Sequence, residues 1–149
     1  MFTIQRTTSE SLDFQYLIRF LDENLKSNDG DDHPFYAQFN GIDQIRNVIV
    51  CYANETPIGC GAFKEYNSNT VEIKRMFVQP NYRGNGVASS ILSELELWAK
   101  AIGYSESILE TGIKQVEAVL LYSKKGYTII PNYEPYVGIE NSICFKKSI

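Results

Sequence analysis

One stretch of the chain, Val71 to Gly103, limits the fold more than any other. It reads as a β-strand, a short connection, a turn built on Gly84 and Gly86, and an amphipathic helix. Leu92, Leu95, Ala99 and Ile102 recur at helical spacing, and Gly103 is placed to close that helix as its C′ glycine. The turn from Arg83 to Ala88 therefore sits where a helix begins. Backbone N–H groups of a first turn have no partner inside the helix. The aligned peptide dipoles add about half a positive charge at the same place. Two glycines let an anion come close to the backbone, and Arg83 supplies a fixed cation, with Lys74 and Arg75 near in sequence. The expected role is a phosphate cradle.

A rival reading is the dinucleotide fingerprint G-x-G-x-x-G, with Glu110 as the ribose-binding acid. Two features oppose it. A dinucleotide strand is buried on both faces and reads as a continuous apolar run, whereas Glu72, Lys74 and Arg75 interrupt this one. The first glycine should also follow the strand almost at once, yet Gln79 to Arg83 intervene.

A chain of 149 residues fits a single domain over residues 1–149 with a sizeable core. The net charge of -4 argues against general nucleic-acid binding, which needs a basic surface. The first residues lack an apolar signal-peptide core and no apolar run reaches membrane-spanning length, so cytoplasmic residence and no membrane partner are expected. Cys51, Cys60 and Cys144 have no metal-ligand spacing; they read as buried reduced thiols, and no metal is expected.

Along the rest of the chain, Phe2 to Arg6 reads as a short strand and Thr7 to Glu10 as a capping box. The helix after it places Leu17, Leu21 and Leu25 on one stripe. Ser27 to Asp32 is a turn-forming break, and Pro34 opens a second helix with Phe35, Phe39 and Ile42 at helical spacing. Strands follow over Val48 to Ala53, Ile58 to Tyr66 and Thr70 to Val78, the last two flanking a hairpin turn. Past the glycine turn come a strand over Ser107 to Thr111, a helix over Gln115 to Lys125, and closing strands over Tyr127 to Ile130 and Ser142 to Lys147. The order β-α-α-β-β-β-α-β-α-β-β implies an α/β (α+β) fold: a mixed twisted sheet of about six to seven strands flanked by helices.

The pattern Arg83-x-x-Gly86-x-Ala88 after a strand ending Met76-Phe77-Val78 resembles the acetyl-coenzyme A signature of the GNAT superfamily of N-acetyltransferases. The likeness is tightest from Glu72 to Ala88 and extends more loosely over Val48 to Lys147. It implies the GNAT-like acyl-CoA N-acyltransferase fold, with acetyl-CoA as cosubstrate. The backbone of Met76, Phe77 and Val78 would pair with the pantetheine arm. The diphosphate would lie on Arg83, Gly84, Asn85, Gly86, Val87 and Ala88, with Ser89 as a further donor. Gln115 stands where many relatives carry an asparagine that bonds the pantetheine.

The resemblance also names catalytic groups. Ala118 to Tyr127 is similar to the family's A-x-x-L-Y-x-K-x-G-Y/F element, in which the tyrosine hydroxyl, here Tyr122, lies near the thioester sulfur. A phenol can donate to a departing thiolate without losing its own proton beforehand. Glu72 occupies the place where several members carry the acid that takes the amine proton; the alternative is a surface acid paired with Lys74 or Arg75. Alternation would put Glu72, Lys74, Met76 and Val78 on one strand face. On the acceptor side, His33 and Tyr36 fall in a region that lines the acceptor pocket in the resembling fold. Tyr133 and Tyr136 belong to a proline-glycine loop that suits either a binding rim or core packing.

The function expected is direct acetyl transfer, in a ternary complex, to a primary amine of a small molecule such as an amino acid or polyamine. One alternative is acetylation of a protein N-terminus or lysine. Another, of a different class, is a non-catalytic coenzyme A-binding sensor. The resemblance leaves room for a homodimer.

Overall fold

The computed structural model describes residues 2–29 and 45–149, with the side chains of 25–29 excepted. The expected second helix from Pro34 falls outside the described residues, as do His33 and Tyr36. Among the described residues seven strands form one sheet in the order β1-β2-β3-β4-β5-β7-β6. They are β1 (Phe2–Thr7), β2 (Asn47–Ala53), β3 (Thr56–Asn67), β4 (Thr70–Val78), β5 (Glu106–Gly112), β6 (Thr128–Ile130) and β7 (Ser142–Ser148). Among the described residues the helices are α1 (Leu12–Asp29), α2 (Val87–Ala101) and α3 (Val116–Lys124). Every neighbouring pair is antiparallel except β4 and β5, which run parallel and are joined by the crossover through α2.

The two faces of the sheet carry separate cores. On one, α2 and α3 cover Ile49, Ile58, Phe63, Val71, Ile73, Val78, Leu109 and Phe145. On the other, Phe14, Leu17, Ile18 and Leu21 of α1 pack on Val48, Val50, Cys60, Ala62 and Phe77. Each buried Val, Leu, Ile or Phe among them contributes about 1.5–3 kcal/mol, so the two helical layers hold the sheet from both sides. The stripe of α2 is Val87, Ile91, Leu92, Leu95 and Ala99. Ile102, expected on it, is 53% exposed because the helix has ended by then. The cap of α1 also differs from expectation: the Ser11 hydroxyl accepts from the Phe14 N–H at 3.1 Å, and the helix starts at Leu12, beyond the Thr7 to Glu10 box.

Two irregularities in β4 shape everything that follows. Gly61 of β3 faces both Arg75 and Met76, a β-bulge, and Arg75 takes φ +59°. The bulge reverses the alternation. Before it, Val71 and Ile73 face α2; after it, Met76 and Val78 do. Glu72 and Lys74 therefore lie on the opposite face, that of Phe77 and α1, and do not share a face with Met76 and Val78. Gly61 is required by close approach: a Cβ there would lie 2.5 Å from Met76 Sδ and 2.8 Å from Ile91 Cγ2. The second irregularity is that β4 and β5 pair only at Thr70, Val71 and Glu72, against Glu106, Ser107 and Ile108. Beyond Glu72 the strands part.

Candidate active site between β4 and β5

The parting leaves one edge of β4 from Ile73 to Val78 without a strand partner, while its other edge remains on β3. A cavity of about 120 Å³ occupies the gap. Its lining comes from both faces: Ile73, Met76, Ala118 and Tyr122 belong with the α2–α3 core, whereas Leu21 comes from α1. The cleft thus passes through the sheet.

The open edge of β4 leads, past Pro80–Tyr82, to the glycine turn. Gly84 and Gly86 have φ +80° and +79°, the left-handed region that costs other residues about 1 kcal/mol or more. Nothing lies within 4 Å of the place either Cβ would take, so the backbone there is open to a ligand. Gly86 caps α2, and the first intrahelical donor is the Ser90 N–H on Gly86 O at 3.0 Å. The N–H groups of Val87, Ala88 and Ser89 precede it, as helix geometry requires. Asn85 steadies the turn by donating from Nδ2 to Tyr82 O at 3.2 Å and Arg83 O at 3.4 Å. Arg83 donates from Nε to Val78 O at 2.8 Å and lies over the Phe77 ring, tying the turn to the end of β4. Lys74 and Arg75, expected to reinforce this cradle, face α1 instead: Lys74 by alternation with Ile73, and Arg75 because of the bulge.

The middle of the cleft is lined by Tyr122 and Gln115, with Glu110 toward the α1 side. Tyr122 is 6% exposed and packs edge-on against Tyr127, with its ring tilted against Phe145. Burial, then the negative charge of Glu110, pushes its pKa above the usual tyrosine range. Gln115 precedes α3, and its Nε2 is buried with no hydrogen-bond partner among the described residues. Such a donor is costly to leave unfilled, and a ligand carbonyl in the cleft would satisfy it.

On the α1 side the chemistry is ionic. Glu72 is buried, accepts from the Tyr133 hydroxyl at 2.8 Å on Oε2, and has Lys64 Nζ at 4.0 Å from Oε1. It is not the surface acid of the alternative reading. Tyr133 packs edge-on against Tyr66 and Tyr136, and its pKa is raised by burial and then by the Glu72 charge. Tyr136 is 3% exposed and lines the cleft, so the loop serves as wall and as core at once. Burial lowers the Lys74 pKa; Glu72 opposes this. Arg75 and Glu110 also line the cleft, and no sequence signal gave either of them this place. Gly61, a glycine inside a strand pattern, was the available hint of the bulge that swings Arg75 into position.

None of the three cysteines lines the cleft. All are buried, and burial pushes Cys60 up to about 12 and Cys144 up to about 11. Among the described residues no cluster could hold a metal ion, and no helix is long and apolar enough to cross a membrane.

The residues from 12 to 127 match the model of the acetyltransferase (GNAT) family. The chain belongs to that family. This GNAT chain is 37% identical over 141 residues to an IAA acetyltransferase of Azospirillum brasilense, covering 89% of this chain and 88% of the relative. A solved structure from Klebsiella pneumoniae, provisionally assigned as an acyl-CoA N-acyltransferase, superposes with a TM-score of 0.83 at 25% identity, covering 99% and 97% of the two chains. A GNAT family acetyltransferase of Elizabethkingia anophelis, solved with acetyl-CoA bound, gives 0.70 at 19% identity over 99% and 98%. The expected family and mixed-sheet fold are therefore those found, and the protein is an acetyl-CoA-dependent N-acetyltransferase.

Proposed function

We propose that this GNAT enzyme transfers acetyl from acetyl-CoA to the primary amine of a small molecule, directly and in a ternary complex. The observation that carries the reading is the open β4 edge with its through-sheet cleft, leading from a helix start with open backbone to buried acidic groups on the α1 side. The diphosphate is assigned to Arg83, Gly84, Asn85, Gly86, Val87, Ala88 and Ser89. The open β4 edge at Met76, Phe77 and Val78, with the unfilled Gln115 amide, is assigned to the pantetheine. The Elizabethkingia neighbour, solved with acetyl-CoA bound, supports acetyl-CoA as the cosubstrate of this fold. Bound there, the cosubstrate supplies an activated acyl carbonyl and a thiol leaving group.

The protein's own groups would then act in sequence. Glu72 and Glu110, at the α1 end, accept the proton that makes an amine nucleophilic. Tyr122, kept neutral by burial, holds a proton for the departing sulfur. The open β4 edge orients the acyl group, and the helix layers exclude water. With every thiol buried and raised in pKa, a cysteine acyl carrier is disfavoured, which supports direct transfer. His33 and Tyr36 remain part of the proposed acceptor pocket, together with Tyr133 and Tyr136.

The test is thiol release from acetyl-CoA across a panel of amino acids, polyamines and peptides. Turnover with small amines is expected. Turnover only with peptide N-termini or lysines would replace this reading with protein acetylation. Binding without release for every amine would make the protein a coenzyme A sensor.

A further inference from the structure

Arg75 is the least satisfied charge in the cleft. Its side chain is 2% exposed. Nη2 donates to Asp22 Oδ1 of α1 at 2.7 Å. Nε and Nη1 are sealed from solvent and have no hydrogen-bond partner among the described residues. The pair is lopsided, because Asp22 keeps 54% of its side-chain surface in solvent while the guanidinium keeps almost none. Arginine cannot escape by shedding its proton, and burying a cation with unfilled donors is expensive. The backbone is also unusual here, with a non-glycine residue at φ +59°. The position thus combines two unfavourable features that a neutral glycine would remove.

We infer that Arg75 is the anchor for a carboxylate on the acceptor, which makes the acceptor an amino acid rather than a polyamine. This rests on the small-amine reading above and narrows it. Among the described residues, the ionisable groups that line the cleft are Glu72, Lys74, Arg75, Glu110, Tyr122 and Tyr136. Two carboxylates face two cations, which matches a zwitterion: ammonium toward Glu72 and Glu110, carboxylate toward Arg75. A polyamine would bring two or more cations to a lining that already holds two. A single guanidinium beside two acids also suits one negative charge better than the nearly double charge of a phosphate. Arg75 faces α1, so it is set apart from the glycine turn at the start of α2.

The experiment compares matched acceptors on the wild-type enzyme: an α-amino acid, its carboxamide and its decarboxylated amine, for several side chains, read by thiol release. A site built to bind a charged group rejects analogues that lack it by large factors. The amino acid should exceed both partners in kcat/KM by about a hundredfold. In Arg75→Lys, which keeps the charge but loses the fixed fork of donors, that ratio should fall to about tenfold or less, through KM. The ratio does not depend on how much of the variant folds. Equal turnover of all three matched acceptors by the wild type, or a preference for polyamines, would overturn the inference while leaving small-amine transfer intact. An unchanged ratio in Arg75→Lys would overturn it as well. No release with any small amine would remove the underlying reading and this one together.

Discussion

The two ends of the site are built in different ways. The α2 end is local in sequence: strand, turn and helix from Thr70 to Ala101 supply the open edge, the left-handed glycines and the helix start. Its chemistry is mostly backbone chemistry, with Asn85 fixing the turn and Arg83 Nε tying it to the end of β4. The α1 end is assembled from distant parts. Glu72 and Arg75 come from β4, Glu110 from β5, Asp22 from α1 and Tyr133 from the loop before β7, and Tyr133 reaches Glu72 across 61 residues of sequence. A ligand common to a large family can be held by backbone that many sequences adopt. A ligand particular to one member needs side chains that only the finished fold brings together.

The sharpest break in this comparison is expected in the middle, where the two ends meet. Tyr122→Phe should lower kcat by about a hundredfold to ten-thousandfold, the usual share of a general acid, with acetyl-CoA affinity changed less than about threefold; equal losses in kcat and affinity would make Tyr122 a wall. The pH profile carries the same test. Burial raises the Tyr122 pKa, so the phenol stays protonated as pH climbs through about 10, and kcat should show no alkaline loss up to that point. Next in size, Arg83→Ala should weaken acetyl-CoA binding by about tenfold to a hundredfold, the range for a bond to a charged group, while the acceptor KM holds within about twofold; isothermal titration and initial rates separate the two. An effect of similar size, on stability and not on catalysis, concerns the bulge that divides the faces. Gly61→Ala places a methyl against Met76 and Ile91 and should cost about 1–3 kcal/mol by overpacking. Denaturant unfolding would measure it, and a neutral result would show that β4 yields there.

The same contrast explains what the sequence made legible. The element order, the glycine turn and Tyr122 were readable because each rests on spacing within one segment. The paired cores were foreseeable from periodicity at Leu17, Leu21, Leu92 and Leu95. The alternation of β4 was misjudged because one residue in a left-handed conformation shifts every later side chain to the other face. Only Gly61, on the neighbouring strand, hinted at it. Arg75 and Glu110 were unreadable as site residues for a related reason: their place depends on where β4 and β5 stop pairing, which is a property of two strands and the helix between them.

The left-handed backbone at position 75 has an evolutionary side. Selection for heat resistance alone would pull this position toward glycine or asparagine, the residues most at ease there. The same drift would strip the cleft of its guanidinium. A lineage pressed toward durability could therefore lose its choice of acceptor first, while keeping a sound sheet and an undamaged hold on coenzyme A.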